Sequence, residues 1–299
     1  MFHILKPYLS ILNISSKPLL NKSFINHYSL SIQPKMGVPL TEVITRLTGI
    51  APLKLAESWD NVGLLVEPEM SNKINNVLLT IDLTEDVVDE ALAKNAQMII
   101  TYHPNIFAPL KRVTLGHWKE RIIVKCLQNN IAVFSPHTSW DAISGGVNDW
   151  LGSAFSSKES TPITKVDDSD PHVGMGRVLV LEKPVTLKDA IDKVKKHVGL
   201  PHLRVGVAKH KGLESLIETV ALCAGSGGSV LKGIKADLYL TGEMLHHDVL
   251  EVAQSGTHVI LCNHSDSERG FLKVVVDRIK SNDLNVVISE VDKDCLTIM

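Results

Sequence analysis

The feature that most narrows what this chain can fold into is a regular alternation of two patterns. Short apolar runs rich in valine, isoleucine and leucine are each followed by a segment whose apolar residues recur at helical spacing. NVLLTIDL (76–83) reads as a buried strand, TEDVVDEALAKNA (84–96) as a helix with acids in its first turn, and QMIITYHP (97–104) as a second strand stopped by proline. WKERIIVKCLQNN (118–130) and IAVFSPHTSWD (131–141) repeat the step. Parallel strands require such crossovers, so the pattern predicts a largely parallel sheet covered by helices. Ahead of it, TEVITRLTGIAPLKLAE (41–57) is amphipathic, and SWDNVGLLVEP (58–68) reads as a loop and a short strand.

A second alternating stretch follows. GRVLVLE (176–182), LKDAIDKVKKHVG (187–199), LRVGVA (203–208), TVALCAGSGG (219–228), ADLYLTGE (236–243), HVILCNHS (258–265) and LNVVISEV (284–291) again place strands between helices. Between the two lies SAFSSKESTPITKVDDSDPH (153–172), polar and without apolar period. With 299 residues, 44% of them hydrophobic, there is enough apolar material for two ordinary cores. The expected architecture is therefore α/β: a first domain over 37–152, a linker over 153–172 and a second domain over 173–299, with largely parallel or mixed sheets and a cleft between them. The C-terminal elements are free to pack back on the first domain. MIITYHPNIF and VILCNHSDSE both end an apolar strand in a histidine, which hints at an internal repeat.

Charge excludes one function class. Basic residues number 31 and acidic residues 33, a net charge of -2, so nothing attracts a polyanion broadly and direct nucleic-acid binding is not expected. No run approaches the ~18 apolar residues of a membrane span. Four cysteines without C-x-x-C spacing read as reduced thiols of an intracellular protein. Residues 1–36 contain lysine and serine but neither acid nor arginine; they read as an organelle-targeting leader or as a disordered extension ahead of Met36. The expected location is cytoplasmic, with a nuclear or, through 1–36, a mitochondrial destination as the alternatives.

In a parallel sheet, polar groups at the carboxyl ends of neighbouring strands meet in one crevice. By that rule the candidates are His103 after MIITY, His137 and Asp141 after IAVFSP, and His264 with Glu268 after VILCN. Imidazoles with carboxylates suit zinc, manganese or ferrous iron better than calcium. His264 and Glu268, four apart, share a helix face and could grip one ion; Ser265 or Asp266 capping the helix, with Glu268 near its amino end, is the structural alternative. His137 is a ligand, a proton carrier or a support for the loop bearing Asp141, the last being favoured. Adjacent His246 and His247 point apart on a helix, and Glu243 with His247 is a weaker pair. AGSGGS supplies Gly225, Ser226, Gly227, Gly228 and Ser229, whose amides could seat an anion, although a tight strand-to-helix turn needs the same glycines.

ESWDNVGLLVEP, YHPNIF, SPHTSWDAISGGVNDWL, CAGSGGSVL, ADLYLTGEMLHHDVL and NHSDSERGFL together resemble the signature segments of the NIF-three-like family, in unbroken order from about Leu40 to Glu290. The resemblance implies two α/β domains, a pair of divalent ions in a cleft between them, of which one or two are expected here, and ring-shaped homo-oligomers, commonly hexamers. It implies His103, Asp141, His264 and Glu268 as ligands. It also implies Tyr102 as a departure, since a histidine is expected there; a phenol ionises near pH 10 unless a metal draws its proton away, so one of two ion sites is expected to be weak, altered or empty. The segment at 153–172 is too short for the extra domain some relatives insert. A water-activating, hydrolase-like function with unknown substrate follows, and the alternative is a protein-interaction scaffold or transcriptional co-regulator with a structural or vestigial metal. Some bacterial relatives carry the label type two GTP cyclohydrolase I; that activity is not expected here.

Overall fold

Two mixed sheets stand edge to cleft, and their chain order explains where polar groups collect. In this computed structural model, residues 37–69, 73–167 and 169–297 are described, so the targeting or disordered role expected for 1–36 lies outside the described residues. Helix α1 (Leu40–Ile50) ends before Pro52, and a 3-10 turn, Leu53–Leu55, follows. The single amphipathic segment expected over 41–57 is thus broken by the proline, which cannot donate into a continuing helix.

The first sheet is built from β1 (Gly63–Val66), β2 (Asn76–Thr80), β3 (Met98–Thr101) and β4 (Ala132–Ser135). Helix α2 (Glu85–Ala93) crosses from β2 to β3, its start fixed by Thr84, whose hydroxyl accepts from the Val87 amide. Helix α3 (Trp118–Gln128) crosses from β3 to β4, and two short helices, α4 (Thr138–Ala142) and α5 (Val147–Gly152), follow. Val87, Val88 and Ala91 of α2 and Ile122, Ile123 and Cys126 of α3 are buried against Leu78, Ile99 and Val133, one face of this sheet.

The 153–172 segment read as a linker carries β5 (Ser157–Thr161) and, with Gly174–Met175 as β7, a small pair through β6 (Thr164–Lys165). Exposed on most positions, β5 lacks the apolar alternation that would have announced it. The second sheet adds β8 (Arg177–Thr186), helix α6 (Leu187–Val198), β9 (Arg204–Gly206), β10 (Leu216–Cys223), helix α7 (Gly228–Leu231), β11 (Leu238–Thr241), helix α8 (His246–Gln254) and β12 (His258–Leu261). Helices α9 (Asp266–Arg269) and α10 (Phe271–Ile279) lead to β13 (Asn285–Ile288).

Strand order is β1-β4-β3-β2-β13 in the first sheet and β5-β8-β10-β11-β12-β9 in the second. The centres are parallel, with β2, β3, β4 and β13 in one and β10, β11 and β12 in the other. Antiparallel strands β1, and β8 and β9, border them. The fold is therefore mixed α/β, as the alternation predicts. Val77, Leu79 and Phe134 of the first sheet and Leu179, Leu222 and Leu240 of the second belong to one continuous apolar core. Trp140 meets Phe271 edge-on within it, ring centres 5.6 Å apart. The carboxyl ends of both parallel centres consequently open towards one another. Cys126, Cys223 and Cys262 are buried and Cys295 is exposed, all four being free thiols. Among the described residues no helix is long and apolar enough to cross a membrane.

Candidate metal centre

The strand ends converge. His103, two residues past β3, and His264 with Glu268, past β12, form a group whose donor atoms all lie within 4.8 Å of one another. Nε2 of His103 is 3.3 Å from Oε2 of Glu268, and Nε2 of His264 is 3.6 Å from Oε1. Glu268 is 3% exposed. Nε2 of His103 and Oε2 of Glu268 are buried and hydrogen-bonded to no other group, so that each has only the other, 3.3 Å away. A buried polar atom without a partner is uncommon, because the lost hydration costs about 1–3 kcal/mol. Bonds of about 2.0–2.1 Å arranged tetrahedrally separate neighbouring ligand atoms by roughly 3.3 Å, close to the 3.3 and 3.6 Å between Glu268 and the two histidines, so the donor set could hold a metal ion.

Each histidine is held from behind. Nδ1 of His103 lies 2.9 Å from Oδ1 of Asp82, and Nδ1 of His264 lies 2.8 Å from Oε1 of Glu243. Burial alone would lower the His103 imidazole, but the Glu268 charge and the bond to Asp82 outweigh it and raise it to about 10. Burial would lift Asp82, yet the His103 bond and charge bring its carboxyl below the ordinary value. Ser265 stands at the start of α9 without capping it; its hydroxyl donates to Asp294 instead. The capping alternative thus does not describe Ser265, and Glu268 faces the histidines.

Asp141 and Tyr102 form a separate pair beside this group. The Tyr102 hydroxyl donates to Oδ2 of Asp141 at 2.9 Å. Burial, then the Glu268 charge, push the Asp141 carboxyl up to about 7, and burial with the Asp141 charge drives the Tyr102 phenol well above its usual value. Asp141 is therefore close enough to feel Glu268 but stands outside the three-residue group. His137 sits between them, its ring 5.4 Å from that of His103 and 5.8 Å from that of Tyr102. Its Nδ1 lies 2.7 Å from Oδ1 of Asp60, whose other oxygen accepts from the Thr138 amide at 3.1 Å. His137 has φ of +35°, a conformation that needs such anchoring in a non-glycine residue.

The glycine-rich turn presses on the same point. Gly225 has φ of +63°, and a Cβ there would lie 2.5 Å from Oε1 of Glu268 and 3.1 Å from Nε2 of His264, so only glycine permits this approach. Its amide donates to the Ser267 hydroxyl at 2.7 Å and that of Gly227 to the Thr241 hydroxyl at 3.0 Å. Two of the five amides expected to seat an anion are thus already committed; Gly228 merely opens the four-residue α7, while Ser226 and Ser229 border the cleft. The cleft encloses about 870 Å³, with Trp59 and Phe107 at its mouth, ring centres 6.0 Å apart. His246 and His247 are exposed on α8, and Glu243 turns to His264 rather than to His247. Asp60 and Asp82 were not among the sequence candidates, although Asp82, just past β2, satisfies the strand-end rule that found the histidines.

Comparison with known proteins follows the same outline. The chain is 47% identical over 263 residues to NIF3-like protein 1 of Drosophila melanogaster, covering 87% of this chain and 89% of that protein. It is 37% identical to NGG1-interacting factor 3 of Saccharomyces cerevisiae, covering 87% and 96%. Among solved structures, Staphylococcus aureus protein SA1388 superposes with a TM-score of 0.75 at 25% identity, covering 88% of this chain and 99% of that one. A Bacillus cereus protein related to NIF3 shares the fold, with a TM-score of 0.76 at 21% identity over 87% and 98% of the two chains. The model of the family described as Duf34/NIF3 (NGG1p interacting factor 3) matches residues 38–295, and the chain belongs to that family.

Proposed function

We propose that the chain is a divalent-metal-binding, hydrolase-like protein in which His103, His264 and Glu268 hold an ion, with zinc, iron and manganese the best-suited metals. The observation that carries this reading is the pair of buried atoms, Nε2 of His103 and Oε2 of Glu268, 3.3 Å apart beside His264 and bonded to no other group. An ion so held would supply Lewis acidity and bring the pKa of water from 15.7 to about 7. The remaining steps belong to the chain. Asp141, poised near 7, accepts and returns a proton at Oδ1 while Tyr102 fixes Oδ2. Asp60 holds His137 against the same wall. Ser226 and Ser229 are proposed to take the polar end of the substrate. A second ion would need Asp141, which here is engaged by Tyr102, so one ion per chain is the expected stoichiometry.

Protein purified without chelators is expected to retain close to one metal per chain by elemental analysis, and Glu268→Ala to retain none. Asp141→Asn is expected to keep the metal while losing turnover across a panel of chromogenic phosphate and carboxylate esters. A metal-free wild type would overturn the reading.

A second reading, a protein-interaction scaffold with a vestigial site, is favoured by Tyr102 at a ligand position and by the yeast relative's name, NGG1-interacting factor 3. Under it, Glu268→Ala would leave protein partners bound and no ester would be turned over. Homo-oligomers, hexamers on the family pattern, belong to either reading and are measurable by light scattering. GTP incubated with the protein is expected to yield no formate.

A further inference from the structure

The two histidines of the site are reached in the same way from two different sheets. In the first, β2 and β3 are parallel neighbours; Asp82 follows β2 by two residues and His103 follows β3 by two. In the second, β11 and β12 are parallel neighbours; Glu243 follows β11 by two residues and His264 follows β12 by three. Carboxylate and histidine are 21 residues apart in both cases. In each, the acid emerging from one strand end meets Nδ1 of the histidine emerging from the next, at 2.9 Å and 2.8 Å. An ionised carboxylate can only accept, so Nδ1 must carry the proton and Nε2 is the nitrogen left facing Glu268.

Asp82 and Glu243 have side chains 44% and 50% exposed, and an ion pair that open to water contributes little to stability. Stability therefore does not explain why both histidines are engaged identically. Orientation does, since a ring free to flip would present Nδ1 or Nε2 at random to a carboxylate buried at 3% exposure.

We infer that Asp82 and Glu243 are a matched pair of positioning residues, one from each sheet, that fix the ring orientation of His103 and His264 so that both Nε2 atoms and Glu268 close on one cation. This rests on the metal reading above, and the test separates the two. Zn²⁺ alone is titrated into wild type, Asp82→Ala, Glu243→Ala, the double variant, and the conservative Asp82→Asn and Glu243→Gln, with a competing chromophoric chelator reporting affinity. Nitrogen-15 spectra of the histidine rings in the zinc-loaded proteins report which nitrogen carries the proton. Each alanine variant is expected to bind Zn²⁺ about 10- to 100-fold more weakly, with its own histidine losing the single protonated-Nδ1 signature. The amide variants, whose side-chain oxygen still accepts, are expected to recover most of that loss. Unchanged melting of the metal-free variants shows that the effect is not one of folding. Wild type that binds no Zn²⁺ would sink the metal reading and this inference with it. Wild type that binds, with alanine variants equal to it within twofold and unaltered ring signals, would overturn the inference alone.

Discussion

Two buried charged clusters lie a short distance apart in the chain's core, and they are finished to different degrees. Arg177, 2% exposed, donates through Nε and Nη2 to the two oxygens of Asp149 at 2.7 and 2.9 Å. Its remaining hydrogens go to the carbonyls of Gly174 at 2.6 Å, Gly176 at 2.7 Å and Ile143 at 3.1 Å. All five donors are used. In the His103–Glu268 cluster two atoms remain without partners. The first arrangement ties β8 to α5 and asks for nothing more; the second is complete only with a ligand. Burial does not separate these two clusters, whereas the hydrogen bonds left unmade, on a carboxylate and an imidazole facing one another, do.

The contrast can be broken most forcefully at Arg177. Arg177→Leu leaves the Asp149 carboxylate with only the Gly145 amide and strands three carbonyls, and is expected to cost about 3–5 kcal/mol in urea unfolding. A loss below about 1 kcal/mol would mean that the cluster is not the closed unit described. Glu268→Gln is expected to do the reverse, weakening Zn²⁺ binding at least about 100-fold while changing metal-free stability by less than about 1 kcal/mol. If it unfolds the protein instead, the open cluster is structural after all.

Glycine substitutions sharpen the comparison at a smaller scale. Gly225→Ala pairs a left-handed backbone, φ +63°, with a Cβ 2.5 Å from Glu268. It should cost about 1–2 kcal/mol and weaken metal binding as well. Gly199→Ala has the same backbone problem, φ +77°, but meets nothing within 4 Å, so calorimetry should show a loss of about 1 kcal/mol and titration no change in affinity.

The smallest effect concerns pH. Burial, then the Lys211 charge, lower the His258 imidazole from its ordinary 6.5. Below that value the unfolded chain takes a proton that the folded chain refuses, so stability falls as pH drops from 6.5 through the lowered folded value. His258→Gln should show a shallower decline in unfolding free energy over that window, and an equal slope would remove His258 as its source.

How much was legible in the sequence depended on where each residue's signal lay. Strand periodicity and the strand-end rule led to His103, His264 and Glu268 because a polar residue ending a buried apolar run is conspicuous. Asp82 ends such a run too, but a half-exposed acid looks like any solvated surface; Glu243 stands out only as a helix-spaced partner for His247, and the structure gives it His264 instead. Asp60 lies inside a polar loop, and its burial depends on His137 and Thr138, both 77 or more residues away. Tyr102 meets Asp141 across 39 residues of chain, a contact that no local spacing announces. No local pattern announces β5, whose positions are mostly exposed.

The placement of β13 beside β2 has a consequence for biosynthesis. Residues 285–288 supply the outer neighbour of a strand that leaves the ribosome some two hundred residues earlier. Until they arrive, β2 presents an unpaired edge that invites mispairing with other nascent chains. The first sheet is therefore completed only once residue 288 has been made, and a chain cut short before residue 285 would carry His103, His264 and Glu268 yet lack the strand that covers the outer edge of β2.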